Sequence, residues 1–325
     1  METEKNRFFN YFKNPIGWLI AGSGVLILGA CFAVWMSLAS CGGKPMDFKT
    51  MAEDESPDAD GRPILRVAVS AMVSPKMALI YYEDFLRLVG GRLGRRTQLL
   101  QRQTYAEVNN MLRDGQVDLA FVCSGPYVTG KKEFGMKLLA VPVVNGQVVY
   151  HSYVIVPKDS PARSFADLKG KRFAFTDPDS NTGHMSPVHM LAKKGLTPGE
   201  FFGSTSFTYS HDNSIRAVAS GAADGAAIDS LVLEILTEIE PEMTSRTKII
   251  GKSAPYGIPP VAVSPHLDKE TAGKLQDIFL NIHEDKSGAV LLRRMRIEKF
   301  VKGRDSSYDT VREMHRFVEA RKVPK

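Results

Sequence analysis

Four small residues that can bind an anion stand together where an apolar run gives way to a helical pattern. They are Ser180, Asn181, Thr182 and Gly183, within FAFTDPDSNTGHMSP (residues 173–187). A helix start presents unpaired backbone N–H groups and the positive end of the helix dipole. The hydroxyls add donors, and Gly183 lets a ligand approach the backbone, so the stretch predicts an oxyanion site. The competing interpretation is ordinary helix capping, although a cap needs only one such residue.

Three further corners between predicted strands and helices carry polar side chains. His211, after the strand that ends in FTYS, can donate to an anion, although a single histidine is more often a packed or surface residue. Asp229 ends the strand GAAID, where a carboxylate can accept a hydrogen bond from a protonated oxyanion, pair with an ammonium group or cap the next helix. Ser124 and Tyr127 follow the strand VDLAFVC, and Tyr127 offers either a hydroxyl to the ligand or a ring to the core.

Signatures of catalysis are missing from the sequence. CSGPYVTGKK (residues 123–132) approaches the nucleotide-binding pattern GxxxxGK[ST], but Lys132 replaces the hydroxyl residue that would reach magnesium. No GxSxG, HExxH or CxxC occurs, and His184 and His189 lack the spacing of a helical zinc pair. We therefore predict a binding protein with no catalytic residue, metal or cofactor. An enzyme acting on phosphate esters and an envelope protein with an empty cleft are the alternatives.

The segments that must position these corners alternate between strand and helix patterns. ILRVAVS (64–70) starts a βαβαβ run, which predicts a mainly parallel sheet with helices on both faces. The pattern restarts after residue 150, and an apolar segment near residue 258 returns toward the first half. We predict an α/β protein with two lobes, residues 63–150 plus 255–325 and residues 151–254. In such folds ligands bind in the crevice at the carboxyl ends of the strands.

The amino-terminal region predicts export and attachment to a membrane. No charged residue occurs from Asn14 to Gly43, and Lys5, Arg7 and Lys13 precede this apolar run. Residues 1–43 are thus a signal or an anchor, and residues 44–62 are an acidic, flexible tether. The ending LASCG resembles the lipobox of bacterial lipoproteins, which would make Cys41 a lipidation site. An uncleaved signal anchor is the alternative, and both place the folded part outside the cytoplasm.

The distribution of charge and the cysteine content bear on two questions, whether the protein binds nucleic acid and whether a disulfide stabilises its fold. The net charge of +6 comes from residues 286–325, which hold twelve Lys and Arg against five Asp and Glu, with no nucleic-acid-binding motif. We predict no nucleic-acid partner. Apart from Cys31 and Cys41 in the export segment, Cys123 is the only cysteine, so the fold needs its core rather than a disulfide.

Several of these stretches together resemble a known family. They are SYVIVPKDS (152–160), DLKGK (167–171), FAFTDP (173–178), SNTG (180–183), SHD (210–212) and the segment 218–229. In order and spacing they resemble the phosphate/phosphite/phosphonate-binding proteins of ABC importers, a type II-like branch of the two-lobed, hinged periplasmic binding proteins. The resemblance implies a small oxyanion ligand and an ABC permease as partner.

The same resemblance implies roles for single residues. Ser180, Asn181, Thr182 and Gly183 would wrap the anion, His211 and Asp229 would contact it, and Tyr127 would close on it from the first lobe. The family usually has Ser-Thr-Ser-Gly where this chain has Ser-Asn-Thr-Gly. Some relatives sense arsenite through a cysteine and signal to a histidine kinase. Cys123 therefore carries an alternative hypothesis of arsenite sensing, beside the simpler one of a buried small residue.

Overall fold

A computed structural model of the chain describes residues 61–321. The predicted membrane segment, the lipidation site at Cys41 and almost all of the tether lie outside these residues. Within the described part, no helix combines the length and the apolar character needed to cross a membrane.

The strands of the described residues form two main sheets. One has six strands in the order β13-β4-β12-β3-β1-β2, and the other has five in the order β10-β6-β9-β7-β8. A short antiparallel pair, β5 with β11, lies on the two segments that connect the sheets. The strands are β1 Ile64–Val69, β2 Arg96–Gln101, β3 Leu119–Phe121, β4 Lys137–Val143, β5 Val149–Tyr150, β6 Ser152–Pro157, β7 Arg172–Phe175, β8 Ser204–Phe207, β9 Gly225–Asp229, β10 Thr247–Lys252, β11 Tyr256–Gly257, β12 Val261–Val263 and β13 Lys299–Val301.

Helices follow most of the parallel strands. The α-helices are α1 Pro75–Leu93, α2 Tyr105–Arg113, α3 Ser124–Phe134, α4 Ser186–Ala192, α5 Pro198–Phe201, α6 His211–Ala219, α7 Ser230–Ile239, α8 Pro241–Thr244, α9 Lys269–Asn281, α10 Lys286–Arg294 and α11 Asp309–Glu319. A π-helical turn, Asn181–Met185, leads directly into α4, and 3₁₀ turns occur at Phe165–Leu168, Ile282–Glu284 and Asp305–Tyr308. We call the six-stranded sheet with its helices the first lobe, and the five-stranded sheet with its helices the second lobe.

The predicted βαβαβ run is parallel, since β1 pairs in parallel with β2 and β3, but each complete sheet is mixed rather than mainly parallel. Among the described residues, the other parallel pairs are β7 with β8 and β9. Strand β12 is antiparallel to β3 and β4, and β6 is antiparallel to β9 and β10. The reason is that these strands reach their sheet through the connecting segments rather than through a βαβ crossover, which is the connection that makes neighbours parallel.

Each lobe has its own apolar core. In the first lobe, Phe85 of α1 packs against Phe121 and Phe279, beside fully buried Leu65 and Val67 of β1. In the second lobe, an aromatic cluster around Phe173 and Phe202 closes one face of the sheet. Because protein interiors are packed as densely as organic crystals, these cores hold the strand ends in fixed positions.

The carboxyl ends of the parallel strands in the two lobes meet. The backbone N–H of His211, at the start of α6, donates to the Met72 carbonyl beyond β1 at 3.1 Å. The N–H of Ser74 donates to the Asp212 carboxylate at 2.9 Å, and the N–H of Tyr105 donates to the Asp177 carboxylate at 3.1 Å. The strand-to-helix corners of one lobe therefore lie against those of the other.

Candidate functional site

The corner after β7 contains both a cap and unused polar atoms. Ser180 accepts a hydrogen bond from the Gly183 N–H at 3.0 Å, so this residue does cap the helical segment. Asn181 and Thr182 are fully buried, yet Asn181 Oδ1 and Thr182 Oγ1 have no hydrogen-bond partner among the described residues. A buried polar atom without a partner costs free energy, and such atoms mark places where a ligand or water belongs.

Gly183 packs so closely against Thr176 and His211 that no side chain fits at this position. A Cβ at this position would lie 2.5 Å from Thr176 Cβ and 3.0 Å from His211 Cε1. The glycine therefore lets the loop pack directly on the histidine. Its role here is close packing rather than a special backbone conformation.

His211 is held in one tautomer. The backbone N–H of Asp229 donates to its Nδ1 at 3.1 Å, so the proton of the neutral ring sits on Nε2. Burial lowers the pKa of His211 to about 3, which keeps the ring neutral at physiological pH. Nε2 is buried and has no partner among the described residues. His211 thus presents an unused N–H donor, as an anion site requires.

Asp229 is the titratable acceptor of the same corner. One of its carboxylate oxygens, Oδ1, accepts from the Leu231 N–H at 2.8 Å, so Asp229 caps α7, as one of its three interpretations expected. Burial raises the pKa of Asp229 to about 7. Near neutral pH the carboxyl group is therefore about half protonated, and its charge repels an anion less than an ordinary aspartate would.

The first lobe contributes two residues that sequence reasoning missed, Ser70 and Tyr105. Ser70 directly follows β1, and Tyr105 is the first residue of α2. Both side chains are fully buried, and neither hydroxyl has a hydrogen bond of good geometry. The Tyr105 hydroxyl faces Ser180, and its environment includes Asp177 and Asp229, which places it at the second lobe's corner. Both residues follow parallel strands, which is the signal that could have identified them.

Tyr127 uses its ring and its hydroxyl on the carboxyl-terminal part of the chain, as the core interpretation of this residue expected. Its ring packs against Tyr308 with centroids 4.6 Å apart, and its hydroxyl donates to Asp305 at 2.7 Å. The hydroxyl is thus used by the carboxyl-terminal part of the chain. The core interpretation of Tyr127 describes the structure better.

Ser124 lies near the site but acts through other residues. Its hydroxyl contacts the Gly257 carbonyl at 2.7 Å and the Tyr150 hydroxyl at 3.0 Å. The Tyr150 hydroxyl in turn accepts from Asn181 Nδ2 at 3.0 Å. Ser124 therefore helps to position Asn181 through the Tyr150 hydroxyl.

Cys123 lies beside the same tyrosine. Its sulfur is 3.6 Å from the Tyr150 hydroxyl, and the residue is fully buried. Burial raises the pKa of Cys123 to about 11, so the thiol stays protonated at neutral pH. Soft metalloids are bound by thiolates, so this environment argues against the arsenite hypothesis.

The corners share one property. Among the described residues, five buried polar atoms without partners come from four separate segments, namely Ser70 Oγ, Tyr105 OH, Asn181 Oδ1, Thr182 Oγ1 and His211 Nε2. Two lobes of α/β structure with hydrogen-bond donors between them define the class of two-lobed solute-binding proteins.

Comparison with known proteins identifies the family. The profile of the family described as "ABC transporter, phosphonate, periplasmic substrate-binding protein" matches residues 67–308. The chain belongs to this family, which confirms the resemblance inferred from the sequence. Its members are substrate-binding components of transporters and act on the periplasmic side of the membrane.

Individual relatives agree with the assignment. The chain is 26% identical over 248 residues to the phosphonates-binding periplasmic protein of Escherichia coli, an alignment covering 74% of this chain and 73% of that protein. It is also 26% identical over 264 residues to the phosphate-import protein PhnD of Mycolicibacterium smegmatis, covering 77% and 79%.

Solved structures confirm the two-lobed α/β fold. A binding protein component of an ABC phosphonate transporter from Pseudomonas aeruginosa superposes with a TM-score of 0.76 at 24% identity, covering 80% of this chain and 88% of that one. PhnD1 of Prochlorococcus marinus in complex with methylphosphonate gives a TM-score of 0.70 at 20% identity, covering 79% and 98%. At these identities the likeness concerns the fold alone.

Proposed function

We propose that this protein captures a small phosphorus oxyanion, namely phosphate, phosphite or a phosphonate, between its two lobes and delivers it to an ABC permease. The observation that supports this most directly is the set of five buried polar atoms without partners, drawn from both lobes. Four of the five can donate a hydrogen bond, as an anion requires, and hydrogen bonds to charged groups contribute about 1.5–3 kcal/mol each.

The proposed ligand contacts are Ser70, Tyr105, Asn181, Thr182, His211 and Asp229. Ser180 and Gly183 shape the loop, and Ser124 supports Asn181. The β5–β11 pair is the proposed hinge, because the chain passes between the two sheets on these two segments. The lobe limits, residues 63–150 plus 255–325 and residues 151–254, remain part of this proposal.

A ligand screen tests the proposal. The melting temperature of the full chain is measured with phosphate, phosphite, methylphosphonate, 2-aminoethylphosphonate, sulfate and arsenite. We expect a concentration-dependent rise with at least one phosphorus oxyanion, and loss of that rise in Thr182→Val. No shift with any phosphorus compound would refute the proposal. A rise with arsenite alone that disappears in Cys123→Ser would favour the sensor hypothesis instead.

We also propose that the protein is held at the membrane by its amino-terminal region. The support is the apolar run from Asn14 to Gly43 and the lipobox-like sequence that ends at Cys41. Incorporation of labelled palmitate that is lost in Cys41→Ala would identify a lipoprotein. Membrane association that persists without label would identify an uncleaved anchor.

A further inference from the structure

An anion site built from donors contains one neutral acceptor, the Oδ1 atom of Asn181. The side chain is fully buried, and its Nδ2 donates to the Tyr150 hydroxyl at 3.0 Å. Oδ1 has no partner among the described residues. Such an oxygen next to an ionised ligand oxygen would bring two sets of lone pairs together, which is unfavourable.

The orientation of the Asn181 amide follows from a chain of hydrogen bonds that ends on a carbonyl. The Ser124 hydroxyl lies 2.7 Å from the Gly257 carbonyl and 3.0 Å from the Tyr150 hydroxyl. Ser124 is the donor in both contacts and shares its one proton between them, so the Tyr150 oxygen is an acceptor on this side.

Tyr150 accepts from Asn181 Nδ2 at 3.0 Å, and Cys123 Sγ lies 3.6 Å from the phenol oxygen, where it can take the phenol proton. Rotating the amide by half a turn would then set Oδ1 against the lone pairs of the phenol oxygen. Burial raises the pKa of Tyr150 far above its ordinary value, so the phenol keeps its proton throughout the physiological range. This arrangement leaves Oδ1 as an unpaired acceptor among the described residues.

The proposed ligand contacts beside Asn181 are donors, so its Oδ1 acceptor can distinguish between ligands. The neighbouring Thr182 Oγ1 and the Nε2–H of His211 supply donors for ionised oxygens. A threonine at this position would carry a hydroxyl, which can rotate to donate or to accept. An amide oxygen cannot change its role, so it discriminates between ligands that bring a proton and ligands that do not.

Building on the proposed function, we propose that Asn181 makes the site selective for phosphorus oxyanions that carry a proton to donate, either P–OH or N–H. An anion of the same shape and charge without such a proton leaves Oδ1 unpaired and binds more weakly. The discrimination resides in one side chain of the second lobe.

A matched pair of ligands tests this inference without any mutation. At about pH 8.5, inorganic phosphate is almost entirely hydrogen phosphate, which carries two negative charges as monofluorophosphate does. Fluorine replaces the hydroxyl in the second anion. Calorimetric titration of the full chain should show monofluorophosphate binding about tenfold or more weakly, as expected for an unpaired buried acceptor. Equal affinities for the two anions would overturn the inference while leaving the proposed function intact.

A variant assigns the effect to Asn181. In Asn181→Thr the ratio of the two dissociation constants should fall to about threefold or less, because the hydroxyl can rotate to donate. Asp229→Asn is the matched comparison, since it alters the other acceptor of the corner. A ratio that is unchanged in Asn181→Thr and lost in Asp229→Asn would assign the discrimination to Asp229 and overturn the inference. Binding of neither phosphate nor any phosphonate would refute the proposed function itself.

Discussion

The two lobes contribute to the proposed site in different ways. The second lobe supplies runs of neighbouring polar residues, Ser180 to Gly183 and Ser210 to Asp212, in the loops that follow the parallel strands β7 and β8. The first lobe supplies single residues, Ser70 and Tyr105, among apolar and ordinary capping residues. A run is recognisable as a motif in the sequence, whereas a single buried hydroxyl becomes visible only when its lack of a partner is known.

The strongest test of this comparison disrupts the second lobe's loop. Gly183→Ala places a Cβ 2.5 Å from Thr176 Cβ, so the loop must move away from His211. We expect phosphate or phosphonate affinity to fall by about 100-fold, as for the loss of one or two hydrogen bonds to a charged ligand. The free energy of unfolding should fall by about 1–3 kcal/mol.

Calorimetric titration and urea denaturation measure both quantities. Gly199→Ala is the control in the same lobe, because a Cβ there meets nothing within 4 Å. Similar behaviour of the two variants would show that the loop tolerates displacement.

The next test separates the two tyrosines of the first lobe. Tyr105→Phe removes a hydroxyl that faces Ser180 without a hydrogen bond of good geometry, so affinity should fall by about tenfold or more while the melting temperature changes little. Tyr127→Phe removes the 2.7 Å bond to Asp305, so stability should fall by about 1 kcal/mol with affinity unchanged. Calorimetric titration and thermal melting of both variants measure these effects. Loss of affinity in Tyr127→Phe but not in Tyr105→Phe would identify Tyr127 as the ligand contact.

A pH series examines the second lobe's titratable acceptor. The pKa of Asp229 is raised to about 7, so the folded state holds this proton more tightly than the unfolded state does. Its contribution to stability is therefore present below about pH 4 and is lost as the pH rises to about 7, by about 4 kcal/mol. His211 acts in the opposite sense, because its pKa is lowered to about 3 and its neutral form stabilises the fold as the pH rises toward 6.5.

Asp229→Asn removes one of these opposing effects. Relative to wild type, the variant should gain stability progressively between pH 4 and pH 7, as measured by urea denaturation. A constant difference across this range would mean that Asp229 titrates normally. Asparagine keeps an oxygen for the Leu231 N–H, so the helix cap is retained.

The smallest effect concerns a contact between the lobes. Asp212 accepts from the Ser74 N–H at 2.9 Å, and Asp212→Ala removes this bond. We expect the affinity for the ligand to fall by about three- to tenfold, because only the closed arrangement of the lobes is weakened. Asp224→Ala is the control, since Asp224 pairs with Arg172 inside the second lobe. Equal losses of affinity in both variants would contradict a role in closure.

Sequence reasoning was most successful where one segment carries the whole signal. The strand and helix alternation, and the second-lobe residues now proposed as contacts, all lie in contiguous patterns. It failed for β4 and β13, since Lys137–Val143 contains a proline and Lys299–Val301 has only three residues. It left Tyr127 open between a ligand contact and a core ring, because Asp305, which accepts from its hydroxyl, lies 178 positions away along the chain.

By itself, the sequence determined the family, the α/β fold and the identity of the polar run at residues 180–183. These properties depend on local periodicity and on residue order, which are present in the chain before it folds. Only the tertiary structure decided that the Tyr127 hydroxyl donates to Asp305, and that Asn181 gives its Nδ2 to Tyr150 and leaves Oδ1 without a partner among the described residues. Both outcomes depend on which groups, distant in the sequence, form a hydrogen bond with each other. Because these groups are buried, a polar atom without a protein partner cannot form a hydrogen bond with water instead, and its burial costs free energy.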